Sequence, residues 1–225
     1  MLSKNYHLTF TLFALMIALT IYALGQLPAG TELPVHYNIQ GEADRYAPAS
    51  SALWFVIGMA AFTALLINFL PALDPRMKNV ENTRPAIRGM VNGFVLFSAI
   101  LHGGMVGQAL GYPFEIMQSL LVAMSLMFLI MGNYISKTRS NFFIGIRTPW
   151  TLTSETVWVK THRLAARLMV PVSMVVLILA LLGYYKTLFP YLLFGMIATM
   201  LIPVIYSWFA YRAERVRDLE SSGDS

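Results

Sequence analysis

The chain has 225 residues, of which 57% are hydrophobic and only 12% charged. Soluble domains carry about twice that charged fraction, so the composition excludes an ordinary soluble globule and points to lipid as the solvent. The net charge of +5 comes with no cysteine, which removes disulfides and thiolate metal sites from consideration.

A helix crossing a hydrocarbon core needs about 20 apolar residues, because lipid offers no partners to backbone N–H and C=O groups. Six stretches meet this requirement, at 8–27, 51–73, 89–110, 116–135, 168–185 and 191–211. The predicted fold is therefore an all-α membrane protein with six transmembrane helices. Lys4 precedes the first stretch, but its apolar core is too long for a signal-peptide h-region, and it reads as an uncleaved helix. Residues 1–75 form an N-terminal helix pair around a connection at 28–50, and residues 76–225 form a four-helix region with a motif-bearing connection at 132–167.

Orientation follows from the basic residues. Of the 16 Lys and Arg residues, 14 fall in the N-terminus, the second and fourth connections and the C-terminus, leaving only Arg45 and Lys186 on the other side. The positive-inside rule then places both termini and the 132–167 loop in the cytoplasm, and the 28–50 loop outside. These basic residues flank spans and form no dense tract, so direct nucleic-acid binding is not expected. Trp54, Tyr112, Phe114, Tyr184, Tyr185 and Tyr191 are expected at the outer interface. Trp150, Trp158, Trp208 and Tyr211 are expected at the inner one.

In the first connection, Pro34-Val35-His36-Tyr37-Asn38-Ile39-Gln40-Gly41 alternates Val35, Tyr37 and Ile39 against polar neighbours. That period suits a short extended segment, with a turn at Gly41 before Asp44. At 23 residues the loop is longer than joining two antiparallel spans requires, and it is either a recognition surface or a flap over the bundle.

The third span carries Gly89 and Gly93 at its inner end, then Gly103, Gly107 and Gly111 at strict four-residue spacing toward the outside, a groove into which another helix is expected to pack. Asn92 and His102 share this span and Gln118 lies in the fourth; polar groups at such depth face protein or water rather than lipid. His102 is either a proton or metal ligand or a residue bonded to a neighbouring helix. Pro171 and Pro203 fall within the last two spans, where each removes a backbone bond and is expected to kink its helix.

In the fourth connection Asn133, Lys137 and Asn141 recur at helical spacing, with Phe142 beyond, and Gly145 and Pro149 are expected to end any regular element. Ser154 reads as an N-cap with Glu155 in the first turn. Lys160, Arg163 and Arg167 then line one face of a helix expected to lie on the membrane surface before turning into the fifth span.

These residues resemble the SdpI family of bacterial membrane proteins. The resemblance rests on Gly132-Asn133-Tyr134, Lys137, Arg139, Asn141-Phe142, Gly145-Ile146-Arg147-Thr148-Pro149-Trp150-Thr151, and Trp158 through Thr161-His162-Arg163. Pro34, His36, Gly41 and Asp44 resemble an N-terminal domain of unknown function often joined to that family. Arg45 and Ala166 depart from the pattern, where a small residue and a glycine are usual.

The resemblance implies a non-enzymatic inner-membrane immunity protein protecting against a secreted peptide toxin, with membrane lipid, an extracellular peptide and a cytoplasmic repressor as partners. No cofactor or metal is implied. A transporter lined by Asn92, His102 and Gln118 is the alternative, against which stand spans without an acidic residue and the lack of an evident inverted repeat. Enzymatic chemistry needs a nucleophile, a paired acid and base or a metal cluster, none of which the four histidines and absent cysteines provide.

Overall fold

The computed structural model of the chain describes residues 6–38 and 41–223. Lys4, Ile39 and Gln40, used above in the orientation and strand arguments, lie outside the described residues.

Among the described residues, seven α-helices and one β-hairpin follow in the order α1 (His7–Gln26), β1 (Glu32–Tyr37), β2 (Ala43–Pro48), α2 (Ala49–Phe69), α3 (Met77–Ala109), α4 (Ile116–Ile135), α5 (Pro149–Thr153), α6 (Glu155–Leu181) and α7 (Tyr185–Gly223). All but the five-residue α5 are long and apolar enough to span a membrane, giving the six crossings expected. Predicted and observed spans agree closely for α1, α2 and α4. The others run on at the end carrying the motif connection: α3 starts twelve residues before the predicted span, and α6 thirteen residues before. Polar helix continues there because the backbone bonds internally whether its side chains meet lipid or water, so hydropathy marks the crossing and not the helix.

α3 is the organiser of the bundle. Both α1 and α2 pack on it on one side and α4 on the other, while α4 packs on α6, and α6 on α7. One core cluster joins α3, α4, α6 and α7 through Met90, Leu121, Met169 and Met196; a second joins α1, the hairpin, α2 and α3 through Ala23, Leu33, Leu53 and Val106.

The close approach of α3 to α4 corrects the glycine expectation. A Cβ on Gly103 would meet nothing within 4 Å, Gly111 lies past the helix end with φ +82°, and Gly107 is covered by the Phe114 ring of the following turn. The contacts with α4 are made by Gly89 against Tyr134, Gly93 against Ile130 and Gly104 against Ser119. Eleven residues make three turns at about 3.6 per turn, so Gly93 and Gly104 share a face that Gly103 does not.

One further expectation changes. α6 is one uninterrupted helix, so Lys160, Arg163 and Arg167 belong to its end and not to a separate surface helix. Its inward face buries Val157, Trp158, Thr161, His162 and Ala165, and this packing keeps the segment in line with the span. Pro171 and Pro203 lie inside α6 and α7, as the sequence places them, and both helices run on past them, as α3 does past Pro85.

Candidate functional site

At the end of the bundle where α4 stops, the 136–154 connection folds into a hydrogen-bonded cap. Asn141 does not continue the helical spacing of Asn133 and Lys137, because α4 ends at Ile135. It is buried and organises the loop: Nδ2 donates to Arg139 O (2.8 Å) and Ile144 O (3.1 Å), and Oδ1 accepts from the N–H groups of Phe143 (2.9 Å) and Ile144 (2.7 Å). Asn133 and Lys137 are exposed, 3.5 Å apart, with the ammonium also over the Tyr134 ring.

Trp158 and His162 form the floor of the cap. Their rings stack with centroids 4.1 Å apart, both fully buried. Trp158 is therefore no interfacial anchor; its Nε1 donates to Thr138 O at 3.1 Å, tying α6 to the end of α4. His162 Nε2 accepts from the Ile146 N–H at 2.8 Å, and Nδ1 lies 2.8 Å from Trp158 O. A ring nitrogen that accepts a backbone N–H carries no proton, so the imidazole is held neutral with its proton on Nδ1. Gly145, at φ +122°, crosses directly above: a Cβ there would come within 2.8 Å of the Trp158 ring, so both conformation and space require glycine.

Pro149 begins a regular element instead of ending one. It occupies the first turn of α5, capped by Thr148, whose Oγ1 accepts from Thr151 N–H (3.2 Å) while Thr151 Oγ1 accepts from Thr148 N–H (2.9 Å). α5 places the Trp150 indole N–H on Ser207 Oγ of α7 and its ring edge-on to Trp208, 5.1 Å away. Arg147 is exposed and donates to Phe142 O at 2.7 Å. Ser154 caps α6 as expected, accepting from Val157 N–H at 3.1 Å. Thr161 is buried, its hydroxyl without a partner among the described residues; Arg163 is exposed.

The connection between α2 and α3 supplies a second half of the cap that the motif reading missed. Asp74, buried, accepts from the N–H groups of Phe142 (2.6 Å) and Arg76 (2.8 Å). Arg76 donates to Ser140 Oγ and to Leu152 O (2.9 Å), and its guanidinium sits 4.8 Å over the exposed Phe142 ring. Asn79 donates to Ser140 O, Thr83 accepts from Arg139 N–H, and Glu155 accepts from Ser140 N–H and pairs with Arg139 at 3.6 Å. One signal was available: Asp74 is an acidic residue directly following an apolar span, in a connection read only for its basic residues.

At the opposite end the external-loop expectation becomes a hairpin. β1 and β2 pair antiparallel from Glu32↔Pro48 to Tyr37↔Ala43, with register shifts on either side of His36. The shifts break the predicted alternation, so Leu33 is the residue buried against α1 and α2 while Val35 is exposed. Gly41, φ +84°, forms the turn, donating its N–H to Asn38 O, and its Cα side touches Met117 of α4. His36 Nδ1 and Asp44 Oδ1 lie 2.6 Å apart across the pair, both half exposed. Pro34 and Tyr37 face the bundle; burial, with Tyr46 adding, pushes the Tyr37 phenol above its ordinary range, and it donates to Gln108 of α3.

The intramembrane polar residues do not converge. Asn92 accepts from Thr9 of α1 (2.6 Å), His102 Nε2 bonds Thr20 of α1 (2.8 Å), and Gln118 donates to Ala180 O of α6 (3.0 Å). Each joins two helices. His102 Nδ1 is buried without a partner, and no group of three or more His, Cys, Asp or Glu among the described residues could hold a metal.

Six apolar helices capped by a bonded motif loop define a multi-pass bacterial membrane protein. Residues 137–207 match the SdpI/YfhL protein family, and residues 11–61 match a domain of unknown function, DUF1648. The chain is also 26% identical to the immunity protein SdpI of Bacillus subtilis (strain 168) over 146 residues, 65% of this chain and 68% of that protein. The resemblance read from the motif thus holds at both ends of the chain. No solved structure matches it.

Proposed function

We propose that this chain is a non-enzymatic membrane immunity protein that protects its cell against a secreted antimicrobial peptide, with the hairpin outside and the motif cap in the cytoplasm. The observation that carries the reading is that the match to the SdpI/YfhL family falls on a heavily bonded part of the fold: residues 137–207 contain Asn141, Trp158, His162 and Trp150, each tied to at least one other element or loop strand. A shape held this firmly suits a recognition surface, and Arg147, Phe142 and Arg163 are among its exposed groups, offered to a cytoplasmic repressor.

The N-terminal pair with its hairpin is the receiving part in this reading. α3 links it to the cap, touching the hairpin through Gln108 and the motif loop through Asn79 and Thr83. Its 33 residues make a rod about 50 Å long, enough to join the two faces of a membrane. The transport alternative finds less support, since Asn92, His102 and Gln118 each bond a neighbouring helix and, among the described residues, do not converge on one path.

The test is survival. A peptide-sensitive bacterium expressing the chain is challenged with a panel of secreted antimicrobial peptides, alongside reporter fusions at both termini. Protection by the wild type, with both reporters cytoplasmic, supports the proposal. Substrate-dependent flux in proteoliposomes without protection against any peptide refutes it in favour of transport.

A further inference from the structure

A groove of about 720 Å³ opens on the side of the bundle between α2 and α4, floored by α3 and roofed by the hairpin. Phe55 and Ala60 form one wall, Phe97 and Leu101 the floor, and Leu120 the far wall, while Val35 closes the top. The hairpin spans the opening as a strap, bonded to α3 through Tyr37 and resting on α4 where Gly41 meets Met117. Among the described residues no charged side chain lines it, and the hydroxyl in its floor, Ser98, donates to Phe94 O of its own helix.

We infer that this groove holds one acyl chain of a phospholipid from the leaflet on the hairpin side, as a resident ligand rather than as exchanging solvent. Two dimensions and the character of the lining select this occupant. The lining runs from Ser51 to Ala60 along α2, ten residues whose nine helical rises span about 13 Å, close to half of the roughly 30 Å hydrocarbon core. Its volume lies within the range of about 300 to 1,000 Å³ typical of ligand sites. A lining without a charged side chain, its Tyr37 and Ser98 hydroxyls already donating to Gln108 and Phe94, offers nothing to a charged headgroup, which is left in the interface beside the hairpin while the chain enters laterally. This inference is independent of the immunity reading.

The experiment measures phospholipid remaining on the purified full-length chain after exhaustive exchange into mild detergent, by native mass spectrometry. Wild type and Phe62→Trp, a change on the exposed face of α2 outside the groove, are expected to retain phospholipid at unit stoichiometry. Val56→Trp fills the groove from the α2 wall and Leu101→Trp from the floor, and both are expected to lose it. Because the chain has no cysteine, Ser98→Cys gives a reading that needs no bulky substitution. Its thiol is expected to react with N-ethylmaleimide many-fold faster after delipidation than before. Absence of bound lipid in the wild type, equal retention by all four chains or equal thiol reactivity in both states overturns the inference. So does a wild-type dimer that the groove variants dissociate, which assigns the groove to a second copy.

Discussion

Asn141 is the residue on which the cap depends most, and Asn141→Ala tests that dependence quantitatively. The substitution removes two donors and one doubly accepting oxygen, leaving Arg139 O, Phe143 N–H and both backbone groups of Ile144 without their partners. Arg139 and Phe143 lie near enough to the surface for water to replace the lost bonds, whereas Ile144 is buried. Each buried backbone group left unsatisfied costs about 1–3 kcal/mol, so the two groups of Ile144 together cost about 2–4 kcal/mol after partial relaxation. At about 1.4 kcal/mol per factor of ten, the loop is expected to open about 30- to 700-fold more often. Arg139 and Arg147 flank the segment, so limited trypsinolysis of the detergent-solubilised chain reads this opening directly, provided that reclosing is faster than cleavage. Cleavage at these two sites is expected to accelerate by that factor with little change in the melting of the helical bundle. Cleavage within about threefold of the wild-type rate would refute the argument that Asn141 holds the loop, since that is less than about 1 kcal/mol.

Three further outcomes follow from the geometry. Gly104→Leu is expected to lower the melting temperature in detergent far more than Gly103→Leu, because only the former drives a side chain into Ser119 of α4; equal melting of the two removes the packing argument. Asp74→Ala strips the buried acceptor of the Phe142 and Arg76 N–H groups and is expected to cost about 2–4 kcal/mol of local stability, read as faster amide exchange at Phe142; unchanged exchange there excludes the α2–α3 connection as part of the cap. Arg147→Ala and Trp150→Ala are expected to lose protection or signalling at normal membrane levels. The cause differs: the first removes an exposed guanidinium, the second detaches α5 from Ser207 and Trp208, so only Trp150→Ala is expected to speed proteolysis as well. Full protection by both variants defeats the functional assignment of the cap.

Much of this architecture is present in residue order alone, and the reason is the solvent. Lipid obliges every crossing segment to be helical and apolar, so six crossings are countable from hydropathy without knowledge of their packing. Local bonds are equally legible: the Ser154 cap on α6 involves residues three apart, and the turn at Gly41 is a matter of one backbone angle. Contacts between elements distant in sequence are not. Asp74 lies 68 residues from Phe142, and Trp150 lies 57 from Ser207; nothing local at either position announces the other. The glycine stripe shows the same limit within one helix, where four-residue spacing makes Gly103, Gly107 and Gly111 look like a packing face. Only the placement of α4 shows that Gly89, Gly93 and Gly104 meet a neighbour, because a helix can offer several small-residue faces and its partner decides which is used. Asn141 and Trp158 were read as a helical position and an interfacial anchor. Tertiary packing buried both, since the loop had to satisfy its own backbone once α4, α6 and the α2–α3 connection excluded water from it.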